Sequence, residues 1–176
     1  DDVEHPDELR VDLDPTPNAS FRDVKQVALL VNDLLKELGY TGYPKTSGSR
    51  GIHVNIRIEP NYEFAQVRRA ALAIAREVAM RAPEIATANW WKEERPDATV
   101  FIDYNQNARD RTVASAYSIR PTPDARVSCP LTGEELPDVN MGDFTILTVP
   151  RRFKEGIDPD EGIEDVKYSL DPLLEL

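Results

Sequence analysis

Three observations predict an α+β domain, a two-layer mixed β-sheet with packed helices. Short stretches alternate apolar and polar residues, two long stretches repeat at helical spacing, and the two kinds interleave along 176 residues. At roughly 100–200 residues per domain, this length predicts one domain, residues 1–176. With 40% hydrophobic and 30% charged residues, the chain has ordinary core-forming composition.

Residues 8–14 read as a strand, with Leu9, Val11 and Leu13 on one face and Arg10, Asp12 and Asp14 on the other. Pro15 and Pro17 end it, since neither can donate a ladder hydrogen bond. Ser20 is an N-cap with Asp23 three residues on, opening a helix to Leu38 that Gly39 stops. A strand-like piece at 42–45, a polar loop and a strand at 52–58 have hairpin spacing, which makes the sheet partly antiparallel. A second amphipathic helix covers 62–81 and Pro83 breaks it; both helices are expected on one face of the sheet. Residues 89–95 read as a short helix or turn, and 99–104 and 112–119 as strands. From Pro121 on, the prolines at 121, 123, 130, 137 and 150 cut the chain into short pieces, with a helix starting near Pro150.

The formal net charge of -11 argues at first against nucleic acid as a partner. Its distribution removes that objection. Residues 1–23 hold eight acids against two bases, and residues 155–176 hold eight against one. The segment between them carries a slight basic excess. No apolar stretch is long enough for a membrane span, and the single cysteine, Cys129, precludes an internal disulfide and fits a cytoplasmic protein.

Three constellations carry chemistry. Strand alternation puts the carboxylates of Asp12 and Asp14 on one face, where their repulsion favours a divalent cation between them; an exposed strand face is the plainer alternative. The loop from Lys45 to His53 contains two glycines, hydroxyls including Ser47, and Arg50. It can present backbone amides to phosphate, or be simply a polar hairpin. Asp103 ends an apolar strand and precedes Asn105, Gln106 and Asn107, so it serves either chemistry or a salt bridge to Arg109 or Arg111. With Arg95 and Arg120, these are the parts of metal-assisted phosphoryl or nucleotidyl transfer.

The same segments resemble the polymerase domain of bacterial ligase D, in the archaeo-eukaryotic primase superfamily. The resemblance rests on residues 5–15, on Lys45 through Val54, on Phe101-Ile102-Asp103-Tyr104 with Gln106-Asn107, on Tyr117-Ser118-Ile119-Arg120 and on Val127-Ser128-Cys129-Pro130-Leu131. It implies a primase-like catalytic core with an RRM-like palm, and Asp12, Asp14 and Asp103 as ligands of two divalent ions, Mn²⁺ or Mg²⁺. It implies that Ser47, Arg50, His53, Arg95 and Arg120 hold the incoming nucleotide, with Gln106 facing the primer terminus. Arg50 stands where many relatives have Lys, which keeps the charge and changes the geometry. The implied activity is template-directed addition of NTP or dNTP to primer ends in non-homologous end joining, with a preference for ribonucleotides. The implied partners are DNA, as primer–template or broken ends, with a Ku-type end-binding protein and a DNA ligase, in a bacterial cytoplasm near the nucleoid. Relatives carry a further N-terminal segment, so a longer parent chain is expected. A stand-alone primase–polymerase, a metal-dependent phosphohydrolase or nuclease, and a catalytically silent DNA-end-bridging module are the alternatives.

Overall fold

A computed structural model describes residues 2–176. The alternation at the N-terminal end forms the central strand β1 (Glu8–Pro15), which buries Leu9, Val11 and Leu13 on one face. Its antiparallel neighbours are β3 (Ile52–Arg57) and β5 (Val100–Asp103). Outside β3 lies antiparallel β2 (Tyr43–Thr46), and outside β5 lies parallel β4 (Ala86–Thr87). The order β2-β3-β1-β5-β4 is therefore a mixed sheet, and with its helices the chain has the α+β fold the sequence predicts.

Helix α1 (Phe21–Glu37) opens on Ser20, which closes a capping box with Asp23. The Ser20 amide donates to the Asp23 carboxylate at 2.7 Å, and the Asp23 amide donates back to Ser20 Oγ at 3.3 Å. Helix α2 (Phe64–Arg81) begins two residues later than the periodicity suggests. Tyr62 is pulled out of it, because its hydroxyl donates to Asp171 at 3.0 Å and accepts from the Leu170 amide at 3.0 Å. Both helices touch β1 and each other, and their apolar stripes join one core with Leu9, Val11 and Leu13. The opposite sheet face is thereby left for polar work.

One expected strand does not form. Residues 112–119 alternate suitably, but both edges of β1 are already paired, and Tyr117 takes φ +63°, which breaks the pleat. Only Ile119 bridges, to Val127, so the segment is an irregular strap. The stretch 127–131 runs along the outer edge of β2: Thr46 N donates to Cys129 O and Leu131 N to Pro44 O, each at 2.9 Å. Among the remaining pieces are α3 (Val149–Lys154), which has proline in its first turn, and α4 (Asp171–Leu174). Where β5 stops short of Arg10, the Asn107 side chain substitutes for a strand. It accepts from Arg10 N and donates to Arg10 O, both at 2.8 Å. Among the described residues, no helix is long and apolar enough to cross a membrane.

Candidate active site

Register alone assembles the centre of the site. Across the polar face, Lys45 on β2 pairs with His53 on β3, His53 with Asp12 on β1, and Asp12 with Asp103 on β5. Directly opposed residues hold their Cβ atoms about 4.5–5.5 Å apart, so four side chains from four strands form one row. Asp14 stands one pleat further along β1.

The row has a donor order. Buried Lys45 gives its three ammonium hydrogens to His53 Nδ1 at 2.9 Å, Ala114 O at 2.6 Å and Ser128 Oγ at 2.8 Å. An acceptor role for Nδ1 assigns the imidazole proton to Nε2, which lies 3.3 Å from Asp12 Oδ1. That approach is too poorly aligned to be a hydrogen bond, and Asp12 Oδ1 is buried with no donor at all. Burial pushes the Lys45 ammonium down to about 8, so it stays charged near neutral pH. Burial, with Lys45, Arg120 and Arg10 nearby, lowers His53 to about 3 and keeps the ring neutral. The contact between His53 and Asp12 is consequently not an ion pair. Burial, then the charges of Asp14 and Asp103, raise Asp12 well above the usual carboxylate range. Asp14 is also raised, by partial desolvation and by Asp103, although Arg95, Arg50 and Lys92 pull it down.

An orphaned buried carboxylate oxygen beside two further carboxylates lacks positive charge. A hard divalent ion such as Mg²⁺ or Mn²⁺ fits an all-oxygen donor set of this kind. Among the described residues no three acids or histidines stand close enough to form a closed cage, so an ion here would complete its shell with substrate oxygens or water.

These residues line a cavity of about 710 Å³. Asp12, Asp14, Ser47, Arg50, His53, Arg95, Gln106 and Arg120 all face it. Asp103 lies just behind that lining. Its carboxylate accepts from Asn105 N at 2.8 Å and from Gln106 Nε2 at 3.1 Å, so Gln106 holds it in place. The alternative salt bridge does not form: Arg109 pairs with Glu4, and among the described residues Arg111 makes no ion pair with Asp103.

The loop after β2 is tighter than an open amide cradle. Ser47 Oγ accepts from Ser49 N at 3.1 Å and Gly51 N at 3.0 Å. Among the described residues this leaves the Gly48 and Arg50 amides without an internal acceptor. Two close approaches fix the loop. A Cβ on Gly51 would lie 2.4 Å from Leu13 O, and one on Gly48, where φ is +68°, would lie 2.5 Å from Arg120 Cγ. Arg50 Nη2 caps the carbonyls of Thr16, Pro17 and Ala19 at 3.2–3.4 Å, bracing the turn that leaves β1. Arg95 donates to Asn89 O and Trp90 O and lies over the Phe101 ring, 3.5 Å from its centroid. Arg120 Nε is buried without a partner.

Sequence reasoning missed several contributors. Lys92 and residues 112–114 also line the cavity, and Lys45, named in the sequence only as the start of the loop, is buried and with Ser128 orients His53. A lysine amid alternating residues of a short strand gives no sign of burial, and only the tertiary return of 114 and 128 reveals it.

A model of the family described as LigD, primase-polymerase domain, matches residues 1–160. The multifunctional non-homologous end joining protein LigD of Pseudomonas aeruginosa is 32% identical over 160 residues, which cover 89% of this chain and 19% of that protein. The bifunctional non-homologous end joining protein LigD of Bacillus subtilis is 32% identical over 152 residues, covering 85% of this chain and 25% of that protein. The chain thus spans 19–25% of these relatives' length. Among solved structures, the polymerase domain of Mycobacterium tuberculosis ligase D in complex with DNA superposes with a TM-score of 0.79 at 26% identity, covering 92% of this chain and 56% of that one.

Proposed function

The chain belongs to the LigD primase–polymerase domain family, a family of nucleotidyltransferases, and on that premise we propose that it extends primer 3′ ends on a DNA template. The primer 3′-hydroxyl oxygen would bond to the α-phosphorus of the incoming nucleotide as the bond to pyrophosphate breaks. The observation that carries this reading is the orphaned Asp12 oxygen between His53 and Asp103, on the floor of a cleft ringed with cationic side chains.

In this reading Asp12, Asp14 and Asp103 hold two divalent ions, Mn²⁺ or Mg²⁺. Such ions, when bound, supply Lewis acidity toward the hydroxyl and offset charge on the phosphates. The chain's own groups do the rest. Arg50, Arg95, Arg120 and Lys92 give the triphosphate countercharge from several sides, and Arg120 Nε has a hydrogen bond to offer. Neutral His53 directs its Nε2 proton into the cleft without adding charge beside the carboxylates. Lys45 is a positioning residue that fixes that tautomer. Ser47 closes the loop, and Gln106 steadies Asp103 while facing the primer terminus.

The names of the relatives support non-homologous end joining as the setting. Within that reading the proposed partners are broken DNA ends, a Ku-type end-binding protein and a DNA ligase, near the nucleoid. Ribonucleotides would be the favoured substrates. The test is labelled-nucleotide incorporation on a primer–template with Asp12→Ala. Loss of several kcal/mol of transition-state stabilisation lowers extension about a hundred-fold or more. DNA binding should persist. Full extension by the variant would leave a silent end-bridging module as the better reading, and release of nucleotide without incorporation would point to a phosphohydrolase.

A further inference from the structure

The crossover between β4 and β5 carries an aromatic surface that the chemistry above does not use. Trp90 is 41% exposed and Trp91 62% exposed. Exposed indoles are costly to leave in water, and Trp90 is built into the fold rather than loose. Trp90 packs against Phe101 and Tyr104, with ring centroids 6.5 and 6.4 Å away, and those two rings lie 6.4 Å from each other. Arg95 covers Phe101 and donates to the Trp90 carbonyl at 2.8 Å. Arg68 lies over Tyr104, 4.9 Å from its centroid, and donates to Asn105 Oδ1 at 2.6 Å. The result is a braced aromatic ledge, pinned to the strand that ends in Asp103.

Its chemistry is directional. Lys92 and Arg95, not the intervening Glu93 and Glu94, line the carboxylate cavity. Cationic side chains therefore run from the ledge into the cleft, while Trp91 stays mostly exposed to solvent. Alternation of flat apolar faces with backbone-reading cations is how proteins hold a single strand of nucleic acid, bases stacked and phosphates paired.

We infer that Trp91, next to the packed Trp90, stacks an unpaired base of the DNA strand entering the cleft. This rests on the polymerase reading for the identity of the strand but not for its chemistry. A nucleotide stacked there would have its neighbouring phosphates within the reach of Lys92 and Arg95, and the ledge would set where the strand turns into the site.

The chain contains two tryptophans, so intrinsic tryptophan emission reports on the ledge alone. The experiment titrates the full chain, in EDTA and without nucleotide, with a primer–template bearing a single-stranded overhang. Quenching of the emission is expected, together with its loss when one overhang position near the junction is made abasic. Trp91→Ala should weaken binding of the same DNA, by anisotropy, roughly five-fold or more, and Trp91→Tyr should restore most of it. Equal quenching by inorganic polyphosphate, equal affinity of Trp91→Ala, or quenching by free nucleotide alone would each overturn the ledge. Wild-type chain that extends primers with no quenching refutes the ledge and leaves the polymerase reading standing. Quenching by a wild type that cannot incorporate nucleotide does the reverse.

Discussion

Residues 8–107 and 108–176 build the same site by different means. The first region is strand and helix, and its site residues are placed by ladder register: once β1 pairs with β3 and β5, Asp12 must lie between His53 and Asp103. The second region is turns, bridges and two short helices, and its contributions arrive through individual polar bonds. Ala114 reaches the cleft because its carbonyl meets Lys45, and 127–131 because it borrows the edge of β2. Register is shared by many bonds and resists single changes. A polar tether fails one bond at a time.

The largest expected effect breaks the first region. Leu13 is wholly buried between the two carboxylates in sequence, and Leu13→Ala should cost about 2–5 kcal/mol of stability by leaving a cavity under the central strand. Chemical denaturation checks this, and both regions should unfold together. A smaller change should separate them. Lys45→Met leaves Ala114 O, Ser128 Oγ and His53 Nδ1 without their donor, at about 1–3 kcal/mol. The strap at 112–116 should become the first protease site, and the KM for nucleotide should rise, while the circular dichroism of the helices stays as it is. If the strap gains no sensitivity, Lys45 is not its tether.

The smallest effect lies wholly in the second region. Arg152 pairs with Glu135, donating to Oε2 at 3.0 Å, and stacks over Phe144. This holds the Glu135 carboxyl below its usual 4.5, through the Arg152 hydrogen bond first. A folded-state pKa below the unfolded one contributes stability that is present at neutral pH and is lost as pH falls through the usual carboxylate value toward the folded one. Glu135→Gln should therefore lower stability by about 1 kcal/mol at pH 7 and make little difference in acid. A gap between the two melting curves that stayed constant down to pH 3 would contradict the pairing.

The legibility of the sequence follows the same division. Alternation over Leu9, Val11 and Leu13, the Ser20–Asp23 cap and the helical stripes are local signals, and each corresponds to an observed element. The acids at 12, 14 and 103 stood out because carboxylates in apolar strands demand a reason. The strap at 112–119 misled because alternation states a preference without naming a neighbour, and both edges of β1 were taken. Lys45 and Ser128 are 83 residues apart, and nothing local reports a bond across that distance.

The parallel pairing of β4 with β5 has one more consequence. In a sheet otherwise antiparallel, it obliges the intervening chain to leave one end of the sheet and re-enter at the other. The two duties on that path are then uncoupled. Asp103 answers to its partner across the ladder, whereas residues 88–99 are held by side-chain contacts such as Trp90 on Phe101 and Arg95 over the same ring. Exchanges at exposed positions of that crossover other than Lys92 and Arg95, Trp91 among them, should alter its surface without shifting Asp12 and Asp103 in the ladder.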